Sequence, residues 1–297
     1  MATATGNPGS VTALEFARER KFAETAFGRI AYVERGSGPA ALFIHGALLN
    51  GFQWRHQLAG LSDIRRVIAL DTMGMGYSEI QPGQPLGLKH QAAMVKAFLD
   101  ALGIAEVDLV GNDSGGGAAQ IFAAKNPGRV RTMTLINCEV HEYDENVAAF
   151  VQLRRVMASG SFVKMLQMAV TRPSFGRRAL AVSYQHTETL SDDVVATYLT
   201  PLVASPERIE QMLGFIAATT NRDLVAIASE LKAVAAPVLV LWGTDDPFFP
   251  VTWAYWLRDH LRNVEEVVEI EGARGFWPEE HPALLGGKLR ELWTRSR

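Results

Sequence analysis

The chain is poor in the features that would tie it to a membrane, a polyanion or an oxidising compartment. Its 297 residues include one cysteine, Cys138, which excludes an internal disulfide and cannot hold a metal by itself. At the end of an apolar run it reads as a small packed residue. No stretch approaches the roughly 18–20 apolar residues needed to cross a bilayer, so no membrane partner is expected. Residues 1–10 are polar and glycine-rich, without the basic start and apolar centre of a secretory signal, and a cytoplasmic protein is expected. A dominant charge is missing too: 29 Lys and Arg face 32 Asp and Glu, a formal balance of −3. That gives no field to gather nucleic acid. Neither an internal repeat nor a low-complexity segment is present, and no cofactor or metal is expected.

What the chain has is a substantial apolar content, 48% hydrophobic against 21% charged, enough for one large domain with a smaller insertion. Short β-branched runs alternate with helical patterns, the signature of βαβ units around a mostly parallel, doubly wound sheet. The runs predict strands over residues 29–34, 41–45, 66–70, 107–110, 131–136, 238–242 and 265–270, with helices over 89–102 and 118–125. Several strands are apolar throughout, as parallel strands covered on both faces must be. Residues 140–220 break the rhythm: amphipathic stretches at 147–158, 162–170, 192–199 and 206–218 are punctuated by Arg172-Pro173, Thr200-Pro201 and Ser205-Pro206. We therefore divide the chain into a flexible start (1–18), an α/β core (19–139 and 221–297) and a helical cap (140–220) lying over the carboxyl edge of the sheet, where open α/β folds bind ligands. A monomer or homodimer is expected.

The most specific segment is Val107-Asp108-Leu109-Val110-Gly111-Asn112-Asp113-Ser114-Gly115-Gly116-Gly117. A buried strand runs into a glycine-flanked acidic residue and then a small-residue helix start, so that the apex side chain is pushed into an exposed, strained pose. Asp113 is that apex, with Gly111 and Gly115 as the small positions. Taking Ser114 as the apex would put Asn112 at the upstream small position, which suits the turn less well.

Three more patterns follow strands in order. His45-Gly46-Ala47 follows the run 41–45, where the N–H of Ala47 can face a developing oxyanion together with that of Ser114. Asp71-Thr72-Met73-Gly74-Met75-Gly76 follows 66–70, and Gly243-Thr244-Asp245-Asp246-Pro247 follows 238–242. In this order and spacing the patterns resemble the α/β-hydrolase superfamily over about residues 20–292. An aspartate at the elbow resembles its epoxide hydrolase and haloalkane dehalogenase branch, in which the carboxylate attacks carbon and forms an alkyl-enzyme ester.

The resemblance implies roles for particular residues. Asp113 is the nucleophile, and Asp246 takes the place of the acid that orients a catalytic histidine, with Asp245 and Glu139 as competitors. His45, Glu139, Tyr143, Tyr184, Phe248 and Trp277 are expected around the substrate pocket, the tyrosines, with Tyr198, as proton donors to an opening epoxide oxygen. Family members read Gly-x-x-His-Phe after the last strand. This chain reads Gly272-Ala273-Arg274-Gly275-Phe276, so Gly275 stands where the histidine belongs, and His281, His141 and His186 are poor substitutes. Dehalogenation is disfavoured, because Ser114 stands where that branch has a halide-binding tryptophan and Ala47-Leu48 replace its polar halide partner.

A carboxylate with an ordinary pKa near 3.9 is ionised at neutral pH and needs no base to attack. Only the hydrolysis of the ester does. The expectation is a hydrolase with an impaired triad, acting on a neutral, small to mid-sized apolar substrate, epoxide- or ester-like. The alternatives are non-hydrolytic chemistry (lyase, dehydratase or cyclase) with Asp113 as acid or base, or ligand binding without catalysis, since fold alone does not fix chemistry.

Overall fold

The computed structural model describes residues 9–140 and 147–296. The strands are β1 (Lys21–Thr25), β2 (Gly28–Arg35), β3 (Ala40–Ile44), β4 (Arg66–Leu70), β5 (Glu79–Ile80), β6 (Val107–Asp113), β7 (Val130–Cys138), β8 (Val238–Gly243) and β9 (Val264–Ile270). The helices are α1 (Ala13–Glu19), α2 (Arg55–Gly60), α3 (Leu88–Ala101), α4 (Ser114–Lys125), α5 (Ala148–Ala158), α6 (Ser161–Thr171), α7 (Pro173–Leu180), α8 (Asp192–Leu199), α9 (Pro206–Ala218), α10 (Arg222–Val225), α11 (Ala228–Lys232), α12 (Thr252–His260) and α13 (Pro282–Arg295).

The strands form one 9-stranded sheet in the order β1-β2-β4-β3-β6-β7-β8-β9, with β5 beside β2. From β4 to β9 every pairing is parallel, while β1, β2 and β5 pair antiparallel at one side. This is the α/β-hydrolase architecture expected from the sequence. Strands β3 and β8 are buried at every residue, which is why their runs show no polar alternation. Parallel register brings the carboxyl ends of β3, β6, β7 and β8 to one edge: Ile44 pairs with Gly111 and Asp113 with Cys138. The residues that follow these strands therefore meet.

Three local expectations change. The helix expected from residue 118 begins at Ser114, because the Asp113 side chain accepts from the Ser114 N–H and starts it directly from the elbow. Part of the expected flexible start is helix α1: a reciprocal Thr12/Glu15 capping box opens it, and Phe16 is buried beneath it. Strands β1 and β5 escaped notice because the first is short and carries charged residues, and the second has two residues. Between β7 and β8 the described chain has no strand, and residues 148–218 are helical at each of the four stretches predicted. Among the described residues no helix is long and apolar enough to cross a membrane.

Candidate active site

At the carboxyl end of β6 the backbone of Asp113 adopts φ 54° and ψ −132°, a left-handed conformation that a non-glycine residue adopts at a cost of about 1–3 kcal/mol. The glycines make room for it. A Cβ at Gly111 would lie 2.5 Å from the Gly115 carbonyl oxygen, and one at Gly115 would lie 2.3 Å from that of Ile44. Chain crossing at this distance admits no side chain. The strained residue points its carboxylate into a cavity of about 450 Å³.

Two backbone amides hold that carboxylate. Ser114 N–H and Ala47 N–H donate to Oδ1 of Asp113 at 2.5 and 2.9 Å, so the pair expected to face an oxyanion converges on one oxygen. Burial pushes the Asp113 pKa above the usual carboxylate range, while the same two amides favour the charged form and oppose the shift. This corrects the expectation of an ordinary, freely ionised aspartate: taking a carboxylate out of water disfavours its charge unless partners compensate fully.

Asp246 follows β8 and is buried. Its Oδ2 accepts from Asn137 Nδ2 at 2.9 Å and its Oδ1 from the Phe248 N–H at 2.9 Å. Burial raises its pKa to about 7, the nearby charge of Asp113 adds to the rise, and the hydrogen bonds oppose it. Its neighbour Asp245 instead pairs with Arg274 at the surface, 3.4 Å away. A Cβ built on Gly275 would stand 3.0 Å from Asp246 Oδ2 and has only Asp246 atoms within 3.7 Å. Position 275 thus addresses Asp246 and not Asp245.

The other expected pocket residues divide. Glu139 and Phe248 line the cavity with Ala47, Leu48 and Asp113. His45 does not: its buried ring accepts from the Thr72 N–H at 2.9 Å through Nε2 and donates to the Gly46 carbonyl at 2.8 Å through Nδ1. It stitches two loops together, and burial lowers its pKa, keeping it neutral. Trp277 does not line the cavity either; its indole N–H donates to Asn137 Oδ1 at 3.1 Å. Tyr184 and Tyr198 donate to Glu279, which also pairs with Arg55, in a buried cluster. Their hydroxyls tie residues of the expected cap to the loop after Phe276, and so cannot serve an epoxide oxygen in the cavity. Tyr143 and His141 lie outside the described residues. No histidine among the described residues lines the cavity.

Three buried amide side chains that sequence reasoning overlooked complete the site. Gly46 N–H donates to Gln53 Oε1 at 3.2 Å, Gln53 Nε2 to Asn112 Oδ1 at 2.6 Å, and Asn112 Nδ2 to the Gly275 carbonyl at 3.0 Å. Asn137 holds both Asp246 and the Gly243 N–H, the latter at 2.7 Å. The one sequence signal was a pair of asparagines, Asn112 and Asn137, one residue before the ends of β6 and β7, where a buried, unpartnered amide would cost free energy. Gln53, in a single 3-10 turn (Gly51–Trp54) far away in sequence, gave none.

The family model described as alpha/beta hydrolase fold matches residues 39–280. A haloalkane dehalogenase of Agrobacterium fabrum is 35% identical to the chain over 90% of its length and 89% of the relative's. Haloalkane dehalogenase 2 of Mycobacterium tuberculosis is 30% identical over 92% and 94%. Among solved structures, the epoxide hydrolase CorEH without ligand superposes with a TM-score of 0.79 at 22% identity, covering 94% of this chain and 99% of that one, a likeness of fold.

Proposed function

The chain belongs to the α/β-hydrolase family, and from that premise we propose that it is an enzyme whose Asp113 carboxylate attacks the carbon of a strained or activated C–O bond in a small, largely apolar substrate of epoxide type. The observation that carries this reading is the anchoring of Asp113 Oδ1 by the Ala47 and Ser114 amides, which leaves Oδ2 as the attacking atom. In that step Oδ2 bonds to the substrate carbon, the C–O bond breaks with its electron pair on oxygen, and the alkoxide takes a proton from water. The product is an alkyl ester of Asp113 whose carbonyl oxygen is Oδ1, already held by two N–H groups that would stabilise a tetrahedral oxyanion.

Hydrolysis of that ester needs a base to activate water, and Gly275 supplies none. The two dehalogenase relatives favour attack on carbon by a carboxylate, while position 114 carries no indole N–H and Ala47 and Leu48 have apolar side chains, which favours an epoxide over a halide. We propose further that the helices over 148–218 act as the cap of this cavity, since Phe150, Met157, Phe162, Met165 and Phe215 line it.

Incubation with aryl epoxides and 1-bromoalkanes followed by intact mass measurement tests the reading. A stoichiometric adduct of the whole epoxide, absent in Asp113→Asn, is expected. Neither adduct nor turnover with any epoxide, ester or halide would overturn it. The Asp246 pKa of about 7 favours one second reading, proton-transfer catalysis without a covalent intermediate, which would show as turnover with no adduct at any time point.

A further inference from the structure

Opening an epoxide leaves a negative oxygen in the cavity, and the donors nearest the reacting atom are already used. The Ala47 and Ser114 amides hold Asp113 Oδ1, and Tyr184 and Tyr198 are turned to Glu279. Among the described residues three hydroxyl side chains line the cavity, those of Ser183, Thr219 and Thr220. Thr219 donates to the Phe215 carbonyl at 3.0 Å, and Thr220 is partly exposed, so that water satisfies it. Ser183 differs from both. It is 8% exposed, yet its hydroxyl neither bonds to a described residue nor is sealed from the cavity. A hydroxyl that the fold leaves unpaired gains most when an acceptor arrives.

The backbone around Ser183 is fixed to the core. Arg274 donates to the Ala181 carbonyl at 3.3 Å and the Phe276 N–H to the Ser183 carbonyl at 2.9 Å, while Tyr184, the next residue, is bonded to Glu279. From there the Phe276 ring reaches the nucleophile: a Cβ at Gly46 would stand 2.8 Å from Phe276 Cε1 and 2.7 Å from Asp113 Cβ. Ser183, Phe276 and Asp113 thus follow one another along the cavity lining, and the hydroxyl keeps its place relative to the carboxylate. A donor fixed before charge develops needs no reorganisation at the moment of reaction.

We propose that the Ser183 hydroxyl is the proton donor to the oxygen that leaves carbon when Asp113 attacks. As the bond from Asp113 Oδ2 to carbon forms, the C–O bond breaks with its electron pair on oxygen, and the Ser183 proton passes to that oxygen. Ser183 recovers a proton from a water in the cavity, which departs as hydroxide. Serine and the product are both aliphatic alcohols, so the proton moves between near-equal bases. This deepens the preceding reading, on which it rests for the attack by Asp113, by naming the donor for the charge which that attack creates.

The test times adduct formation on the full chain by intact mass with two electrophiles, styrene oxide and 4-nitrobenzyl bromide. Bromide leaves as a stable anion and needs no proton. Ser183→Ala should slow formation of the epoxide adduct at least about tenfold, the effect of losing one preorganised donor, and leave the bromide rate unchanged. Ser183→Thr keeps the hydroxyl, should retain most of the epoxide rate, and decides alone if the bromide does not react. Equal slowing with both electrophiles would mark a merely structural residue and overturns the proposal. So does an unchanged epoxide rate in Ser183→Ala, or a Ser183→Thr variant as slow as Ser183→Ala. A bromide adduct without any epoxide adduct in the parent chain would sink this inference and spare the nucleophile; an adduct with neither electrophile overturns both.

Discussion

The backbone N–H of Ala47 donates to Oδ1 of Asp113 at 2.9 Å, joining the turn after β3 to the apex after β6. Sixty-six residues separate the two in sequence, and only parallel pairing of the adjacent strands brings them together. The contact explains why a charged side chain is tolerated in a strained backbone position: the amides of Ala47 and Ser114 replace part of the lost hydration and select one orientation of the carboxylate.

Gly46 lies against that carboxylate, and a Cβ there would stand 2.7 Å from Asp113 Cβ and 2.8 Å from Phe276 Cε1. Gly46→Ala is expected to displace Asp113 and slow adduct formation on the order of a hundredfold, the usual penalty for a misplaced reacting group. Stopped-time mass spectrometry measures the rate; wild-type speed in the variant would contradict the attacking role of Asp113.

Asp246 titrates higher in the folded chain, at about 7 against an ordinary 3.8. The folded state therefore binds the extra proton between these values. Its contribution is intact at the acidic end and is lost as pH rises through that window, on the order of 4 kcal/mol in all. Urea unfolding at pH 5 and pH 8 should show wild type losing stability across the interval relative to Asp246→Asn. Parallel behaviour of the two would refute the raised midpoint.

Tyr184 donates to the buried Glu279, which also pairs with Arg55. Tyr184→Phe should cost about 1–2 kcal/mol of stability for the lost hydrogen bond and leave adduct formation unchanged, since the hydroxyl is turned away from the cavity. Glu279→Gln should cost more, about 3–5 kcal/mol, because it leaves the Arg55 charge buried without its partner. Thermal melts and the adduct assay together check both; a Tyr184→Phe variant that folds normally but no longer reacts would restore the tyrosine as a proton donor.

Gly275→His places an imidazole against Asp246, whose Oδ2 needs to move by a few tenths of an ångström to accept the new Cβ. Release of the Asp113 ester should accelerate by roughly a hundred- to ten-thousand-fold, the contribution of a positioned general base. A pulse of epoxide followed by timed mass measurement reports it. An adduct as persistent as in the parent chain would show that position 275 does not face the ester.

The sequence made the sheet and elbow legible because their signals are local. Continuous β-branched runs located seven of the strands, and glycine spacing around Asp113 located the bend. It failed at Trp277 and His45, read as facing substrate from their places beside motifs, and at Tyr184, read so as a tyrosine of the expected cap. Side-chain direction there is settled by partners far away in sequence: Glu279 for the tyrosine, Asn137 for the indole, Thr72 for the imidazole. Gln53 carried no local pattern, and only its contacts with Gly46 and Asn112 reveal its place.

By itself the sequence determined which residue types stand at the carboxyl ends of the strands, including an aspartate at the elbow and a glycine where an imidazole would be expected, because strand periodicity and turn chemistry act over a few neighbours. The tertiary structure decided which of two adjacent aspartates faces that glycine, and that burial raises the pKa of both Asp113 and Asp246. Those outcomes depend on how much water packing excludes and on which amides it delivers to each oxygen, quantities that no local stretch of chain contains.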